Sequence, residues 1–354
     1  MSPNANPKED VQFLALLVHR GHLDRDQAEG LLADLRAGNG LDDALRSRVG
    51  WDDRQIADLR RTRAGEIPEI PGYQVMDRLG TGGTADVFRA REKATGRLLA
   101  LKVLKQECVT VPATRKAFVA EARMLERLDH PGLVSGFGIA KNGRTYFSKL
   151  ELIDGRTLLE ILDEGSALDE EAALRAVLGV AETLQYLAEE GIVHRDVKPG
   201  NIMLSSSGRM KLIDLGFAAE GEEAPAQTDS AVGTVAYLSP EQARGGAQAD
   251  IRSDIYSLGV TLFHLVVGRL PFESSDDREL LRMQIMESLS SPELKGRGLS
   301  PHLHYFVEKM MAKDAELRYQ DWTELIEDVR GNLEGRNSLD YSRGARPPRR
   351  GRRR

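Results

Sequence analysis

Cysteine is almost absent: Cys108 stands alone in 354 residues. No disulfide can form within the chain, which fits a reducing compartment. Long apolar runs are missing as well. Nothing approaches the roughly 18–20 residues needed to span a bilayer, and the longest candidate, Gly259 to Val267, is interrupted by His264. Met1 to Asp10 is polar and acidic, without the basic start and apolar centre of a signal peptide. The expectation is a cytoplasmic protein with no membrane span. Acid is lacking at the C-terminal end, where residues 341–354 hold seven Arg and no Asp or Glu. Setting those seven aside from the formal charge of -6 leaves residues 1–340 at -13. So acidic a body makes a poor general nucleic-acid binder, whatever anions the tail attracts by itself.

What is present is ordinary for a globular protein, with 41% hydrophobic and 29% charged residues. The length suggests one large domain with a smaller appendage. In residues 10–64, Val11, Leu14, Leu17 and Val18 fall at helical spacing until Gly21. Asp24 with Gln27 forms a capping-box start for Ala28, Leu31, Leu32 and Leu35, and Asp52 with Gln55 repeats the device before Ile56 and Leu59. Leu41, Ala44 and Leu45 lie between. This weak internal repeat predicts a small helical module over 1–64. It either packs on the main domain or docks a protein partner.

Residues 65–72 contain Pro68 and Pro71 and form a stiff linker. Strand patterns follow from Tyr73, with a glycine-rich hairpin turn at Leu79-Gly80-Thr81-Gly82-Gly83 and a further strand at Leu98 to Leu104. Phe118 to Leu128 reads as a helix, and helical patterns dominate beyond about residue 156. A sheet-rich lobe followed by a larger helical lobe is the expected outcome. Asn337 to Arg354 has almost nothing to bury, and the tail from 334 on is expected to be disordered.

The chemistry concentrates in His194-Arg195-Asp196-Val197-Lys198-Pro199-Gly200-Asn201, where an acid, cations and an amide follow the apolar pair Ile192-Val193. A second carboxylate stands in Asp214-Leu215-Gly216. Upstream, Ala100 and Lys102 are two apart on a strand and share a face. A glycine-rich turn alone would be read as a plain hairpin. The motifs together, in this order, are far more specific.

Residues 73–333 thus resemble a eukaryotic-like (Hanks-type) Ser/Thr protein kinase domain of the bacterial kind. The resemblance implies an α+β, two-lobed protein-kinase fold, with a small β-rich N-lobe and a large helical C-lobe behind the N-terminal helical module. It implies ATP and Mg²⁺ as cofactors and Ser/Thr-bearing proteins as substrates. Leu79, Gly80, Thr81, Gly82, Gly83 and Val87 would cover the nucleotide, although Ala85 replaces the third glycine. Ala100 and Met203 would flank the adenine, whose edge would meet backbone groups of Glu151 and Leu152. Lys102, held by Glu121, would reach the α/β-phosphates. Asp196 would orient the acceptor hydroxyl, Lys198 would stabilise the transferring phosphoryl, and Asn201 and Asp214 would hold Mg²⁺.

The same resemblance assigns Asp254 to steadying the catalytic-loop backbone and pairs Glu241 with Arg318. Leu215, where Phe is commoner, would pack with Leu125 and His194. Arg195 would bind a phosphate placed on Thr228 or Ser230, and Thr234 would face Asp196. The competing expectation is a nucleotide-binding pseudokinase scaffold acting through residues 1–64. Such proteins usually lack one of the residues that here are Lys102, Asp196 and Asp214.

Overall fold

The computed structural model describes residues 7–19, 22–61, 67–165, 167–216, 219–220, 235–245, 249–289 and 299–336. The chain divides into two compact units. Residues up to 129, together with 135–152, form the first; residues 130–134 and those from 153 onward form the second. Thr228, Ser230 and Thr234 lie outside the described residues.

The first unit begins with helices α1 (Pro7–His19), α2 (Arg25–Arg36), α3 (Leu41–Ala44) and α4 (Asp53–Arg61). Both capping boxes form as the sequence predicts. Asp24 Oδ1 accepts the Gln27 N–H at 2.7 Å and Gln27 Oε1 accepts the Asp24 N–H at 3.0 Å, while Asp52 and Gln55 exchange the same bonds at 2.7 and 3.1 Å. Leu14, Leu17, Leu31, Leu41, Leu45 and Ile56 bury together as the core of these helices. Arg60 staples the bundle, with Nη2 2.7 Å from Asp10 and 2.7 Å from Asp42. A π-helical turn at Leu45–Val49 closes on Gly50 at φ 76°. It has no counterpart in the hydrophobic spacing.

A five-stranded antiparallel sheet follows, in the order β1-β2-β3-β5-β4. Its strands are β1 (Tyr73–Thr81), β2 (Ala85–Glu92), β3 (Leu98–Leu104), β4 (Gly136–Asn142) and β5 (Thr145–Leu150). Alternate residues bury against a core of Val75, Phe88, Ala90, Leu101, Val103 and Phe147. After the short α5 (Gln106–Val109), helix α6 spans Pro112–Arg127 and starts six residues before the sequence expectation. Pro112 sits in its first turn, where a missing N–H costs nothing because that donor has no helical partner.

The second unit is mainly helical. A three-stranded sheet, β6 (Gly155–Thr157), β8 (Ile202–Ser205) and β9 (Met210–Leu212), lies among helices α7 (Leu158–Asp163), α8 (Glu170–Glu189), α9 (Pro240–Ala243), α10 (Ile251–Val267) and α11 (Asp277–Met286), with β7 (Ile192–Val193) preceding the chemical loop. α10 is buried along almost its whole length, so its residues are the scaffold on which the loop is hung. No helix among the described residues is long and apolar enough to cross a membrane.

Candidate active site

In the first unit, the β2–β3 register sets Val87 opposite Lys102, and the β3–β5 register sets Ala100 opposite Leu150. Cross-strand partners share a face, so Val87, Ala100 and Lys102 line one side of the sheet. From α6, Glu121 meets Lys102 there, Nζ to Oε1 at 2.6 Å. Glu121 is buried and Lys102 half-buried, which makes this close pair a positional anchor for the ammonium.

The turn between β1 and β2 closes by Gly82 N–H donating to the Ala85 carbonyl at 2.9 Å, with Thr81 bonded to Asp86. Neither Gly80 nor Gly83 has a positive φ, and a Cβ on either would touch nothing within 4 Å. The turn's own packing therefore does not demand glycine at these positions. What glycine supplies is a bare, exposed backbone. Ala85, in place of a third glycine, turns its methyl into a core with Leu104, Val109 and Phe118. That burial explains why the substitution is accommodated. At the end of β5, Glu151 exchanges backbone and side-chain bonds with Ser135: N–H to O at 2.8 Å, and Oε2 from N–H at 3.2 Å. Leu152 follows, half-buried.

In the second unit, Asp196 is the centre of a dense set of donors. Lys198 Nζ lies 3.0 Å from its Oδ1 and 2.8 Å from its Oδ2. Asn201 Nδ2 donates to Oδ2 and to the Asp196 carbonyl, both at 2.8 Å, which leaves Asn201 Oδ1 as an acceptor. Burial raises the Asp196 pKa; the charge and hydrogen bond of Lys198 oppose this, Asp214 adds to it, and Asn201 counters it again. Ile213 N–H bonds the Asn201 carbonyl at 3.0 Å, so the β8–β9 hairpin brings Asp214 next to Asn201. Gly216 N–H donates to Asp214 Oδ1 at 2.8 Å, and Leu215 is fully buried beside it. Met203, half-buried on β8, pairs with Thr157 and Lys211.

The loop backbone is held from below. Asp254 of α10 accepts the His194 N–H at 2.8 Å and the Arg195 N–H at 2.7 Å, as expected. Burial pushes its pKa up to about 7 against those two bonds. Burial takes His194 down to about 4, so its neutral ring accepts the Asp196 N–H at Nδ1, 3.3 Å away. Arg195 adopts φ 66°, a left-handed conformation at a residue whose N–H is bonded by Asp254 and whose carbonyl is bonded by Gln242. Its Nε and Nη1 are buried and have no hydrogen-bond partner among the described residues, and burial lowers its pKa.

One contributor escaped the sequence reading. Gln242 Nε2 donates to the Arg195 carbonyl at 2.9 Å, tying residues 239–242 to the loop. The pattern Ser239-Pro240-Glu241-Gln242 is a capping box, and both its bonds form. Such a pattern signals a helix start, but not the contact with Arg195.

Asn201 and Asp214 offer two hard oxygen donors, and no group of three or more His, Cys, Asp or Glu among the described residues could hold a metal. Such a pair suits Mg²⁺, which keeps several waters and completes its shell with phosphate oxygens. It does not suit a structural zinc.

A family model described as a protein kinase domain matches residues 73–329. Among curated proteins, one named "Probable serine/threonine-protein kinase" in Streptomyces coelicolor is 34% identical over 270 residues, covering 74% of this chain and 40% of its own. Serine/threonine-protein kinase PknB of Mycobacterium tuberculosis is 34% identical over 264 residues, covering 73% and 42%. PknB of Mycobacterium leprae is 34% identical over 263 residues, with the same shares. The chain spans about two-fifths of the length of these relatives.

Proposed function

The chain belongs to the protein kinase domain family, and from that membership we propose that it transfers the γ-phosphate of ATP to serine and threonine hydroxyls of proteins. The observation that carries this reading is the Asp196 carboxylate, gripped by Lys198 and Asn201 with Asp214 alongside. A carboxylate fixed by two donors can accept a hydrogen bond from an incoming hydroxyl in one orientation and hold that oxygen towards the phosphorus. Burial raises its proton affinity, which suits an acceptor of the hydroxyl proton. Lys198, two residues further on, places a cation where the transferring phosphoryl would pass and fits a Ser/Thr rather than a Tyr kinase. Lys102, fixed by Glu121, would bind the α/β-phosphates, under the bare backbone of Gly80 to Gly83. Mg²⁺ bound by Asn201 and Asp214 would offset charge between the β- and γ-phosphates.

The scaffold reading has no missing residue to rest on, since Lys102, Asp196 and Asp214 are all present with their partners. Incubation of the full chain with radiolabelled ATP and Mg²⁺ decides the matter, with Asp196→Asn as control. Label above the control, on the chain itself or on casein, is expected. No excess label would return the chain to the scaffold class.

Arg195 supplies the proposed control. Its Nε and Nη1, without a hydrogen-bond partner among the described residues, suit a phosphate on Thr228 or Ser230, whose charge would compensate a buried cation. The helical module of residues 1–64 would select substrates or partners, and the Arg-rich tail is assigned no nucleic acid. ATP as donor and the lone Cys108 favour a cytoplasmic site of action.

A further inference from the structure

Helix α11 has little apolar anchorage: within Asp277–Met286 the buried residues are Leu280 and Gln284. Gln284 is enclosed at 0% exposure, a costly place for an amide unless both its ends are bonded. Both are. Tyr256 Oη donates to Gln284 Oε1 at 2.7 Å, and Gln284 Nε2 donates to the carbonyl of Ala236. Behind Tyr256 stands Lys313, whose Nζ is 2.7 Å from the Tyr256 hydroxyl and 2.7 Å from the Gln284 carbonyl. That carbonyl is among the last four of α11, so the ammonium also caps the negative end of the helix.

Burial and the nearby Arg318 charge bring the Lys313 pKa down to about 7, so the directions in this chain of bonds are set while Lys313 holds its proton. An ammonium only donates; the Tyr256 oxygen then accepts from Lys313 and spends its single proton on Gln284 Oε1. The amide then has only its NH₂ left for Ala236. Turning the amide over would face donor to donor and acceptor to acceptor. A fully satisfied buried network of this kind admits one arrangement of its parts.

The part it holds matters. Ala236 is the centre of the 3₁₀ turn Val235–Tyr237, which follows directly on residues 221–234. The same stretch is bound to α10 by Ser257 Oγ donating to the Tyr237 carbonyl at 2.8 Å, and to the carbonyl next to Asp196 by Gln242. We propose that Gln284, braced by Tyr256 and Lys313, is a positioning residue for the acceptor polypeptide: it fixes the Val235–Tyr237 turn, and so the register in which a serine or threonine meets Asp196. This rests on the phosphotransfer reading above.

The test uses the full chain, ATP and casein as acceptor. Gln284→Leu keeps the volume and removes both bonds; Tyr256→Phe keeps the ring that faces Lys313 and Arg318. Gln284→Leu is expected to raise the KM for casein roughly three- to tenfold while the KM for ATP stays within about twofold. Tyr256→Phe should act in the same direction and add almost nothing in the Gln284→Leu background, since its hydroxyl works through that amide. An unchanged casein KM, an equal rise in both KM values, or fully additive effects would overturn the proposal. Hydrogen exchange supplies a readout independent of activity. The Leu238 amide, bonded to the Val235 carbonyl at 3.3 Å, should exchange faster in Tyr256→Phe. An unaltered exchange rate refutes the brace whether or not the wild type is active, while a wild type that transfers no phosphate refutes the activity alone.

Discussion

Arg318 holds Glu241 with both arms of its guanidinium, Nη1 to Oε1 at 2.8 Å and Nη2 to Oε2 at 2.9 Å. Burial by itself would raise the Glu241 pKa, but the Arg318 hydrogen bonds and charge, with Ser253, bring it down to about 2. The Arg318 side chain is completely buried, so the pair cannot trade its partner for water. Because the folded-state pKa lies below the unfolded value, the unfolded chain binds more protons in between, and stability rises with pH there. The pair's contribution, roughly 3 kcal/mol, is present above the ordinary Glu range and lost as pH falls from there towards 2. Denaturant unfolding of wild type and Glu241→Gln should show a gap that is constant above about pH 5 and narrows below it. A gap of constant size down to pH 3 would contradict the assignment.

Glu121→Gln weakens the anchor on Lys102 without changing its volume. A displaced ammonium should lower kcat/KM for ATP by ~10²-fold, with little change in melting temperature. Steady-state kinetics at varied ATP test this, and retention of wild-type kcat/KM would show that Lys102 holds its place unaided.

Asp196→Asn retains the hydrogen-bonding shape of the side chain and removes its charge. Phosphotransfer should fall by 10²–10⁴-fold, about the contribution of a positioned base, while binding of a fluorescent ATP analogue stays intact. Asp214→Asn should do the reverse in part, shifting the Mg²⁺ concentration needed for analogue binding upward. If both variants lose nucleotide binding equally, the division of roles between the two carboxylates is wrong.

Replacing Thr228 and Ser230 together by Ala should leave the enzyme at the activity of phosphatase-treated wild type, roughly tenfold or more below the phosphorylated form. Arg195→Met should be low in activity and indifferent to phosphatase. Full activity in the double Ala variant would sink the switch.

Much of the site was legible because its chemistry is local. Asp196, Lys198 and Asn201 sit within six positions, so their side chains are near one another along the chain before any distant contact forms. The capping boxes at Asp24 and Asp52 were legible for the same reason: donor and acceptor are three residues apart. The start of α6 was missed because Pro112 has no helical side-chain pattern before it, and a first-turn proline is permitted without being required. The brace on Ala236 was out of reach, since Tyr256, Gln284 and Lys313 are separated by about thirty residues each and none belongs to a short motif.

The sequence by itself determined the family and named the groups proposed to do the chemistry, because order and spacing along the chain carry that information. Only the tertiary structure decided how those groups are held. Asp254 under the loop, Gln242 against Arg195 and Gln284 behind Ala236 are contacts between distant segments, made when apolar helices such as α10 bury and their few polar side chains must find partners.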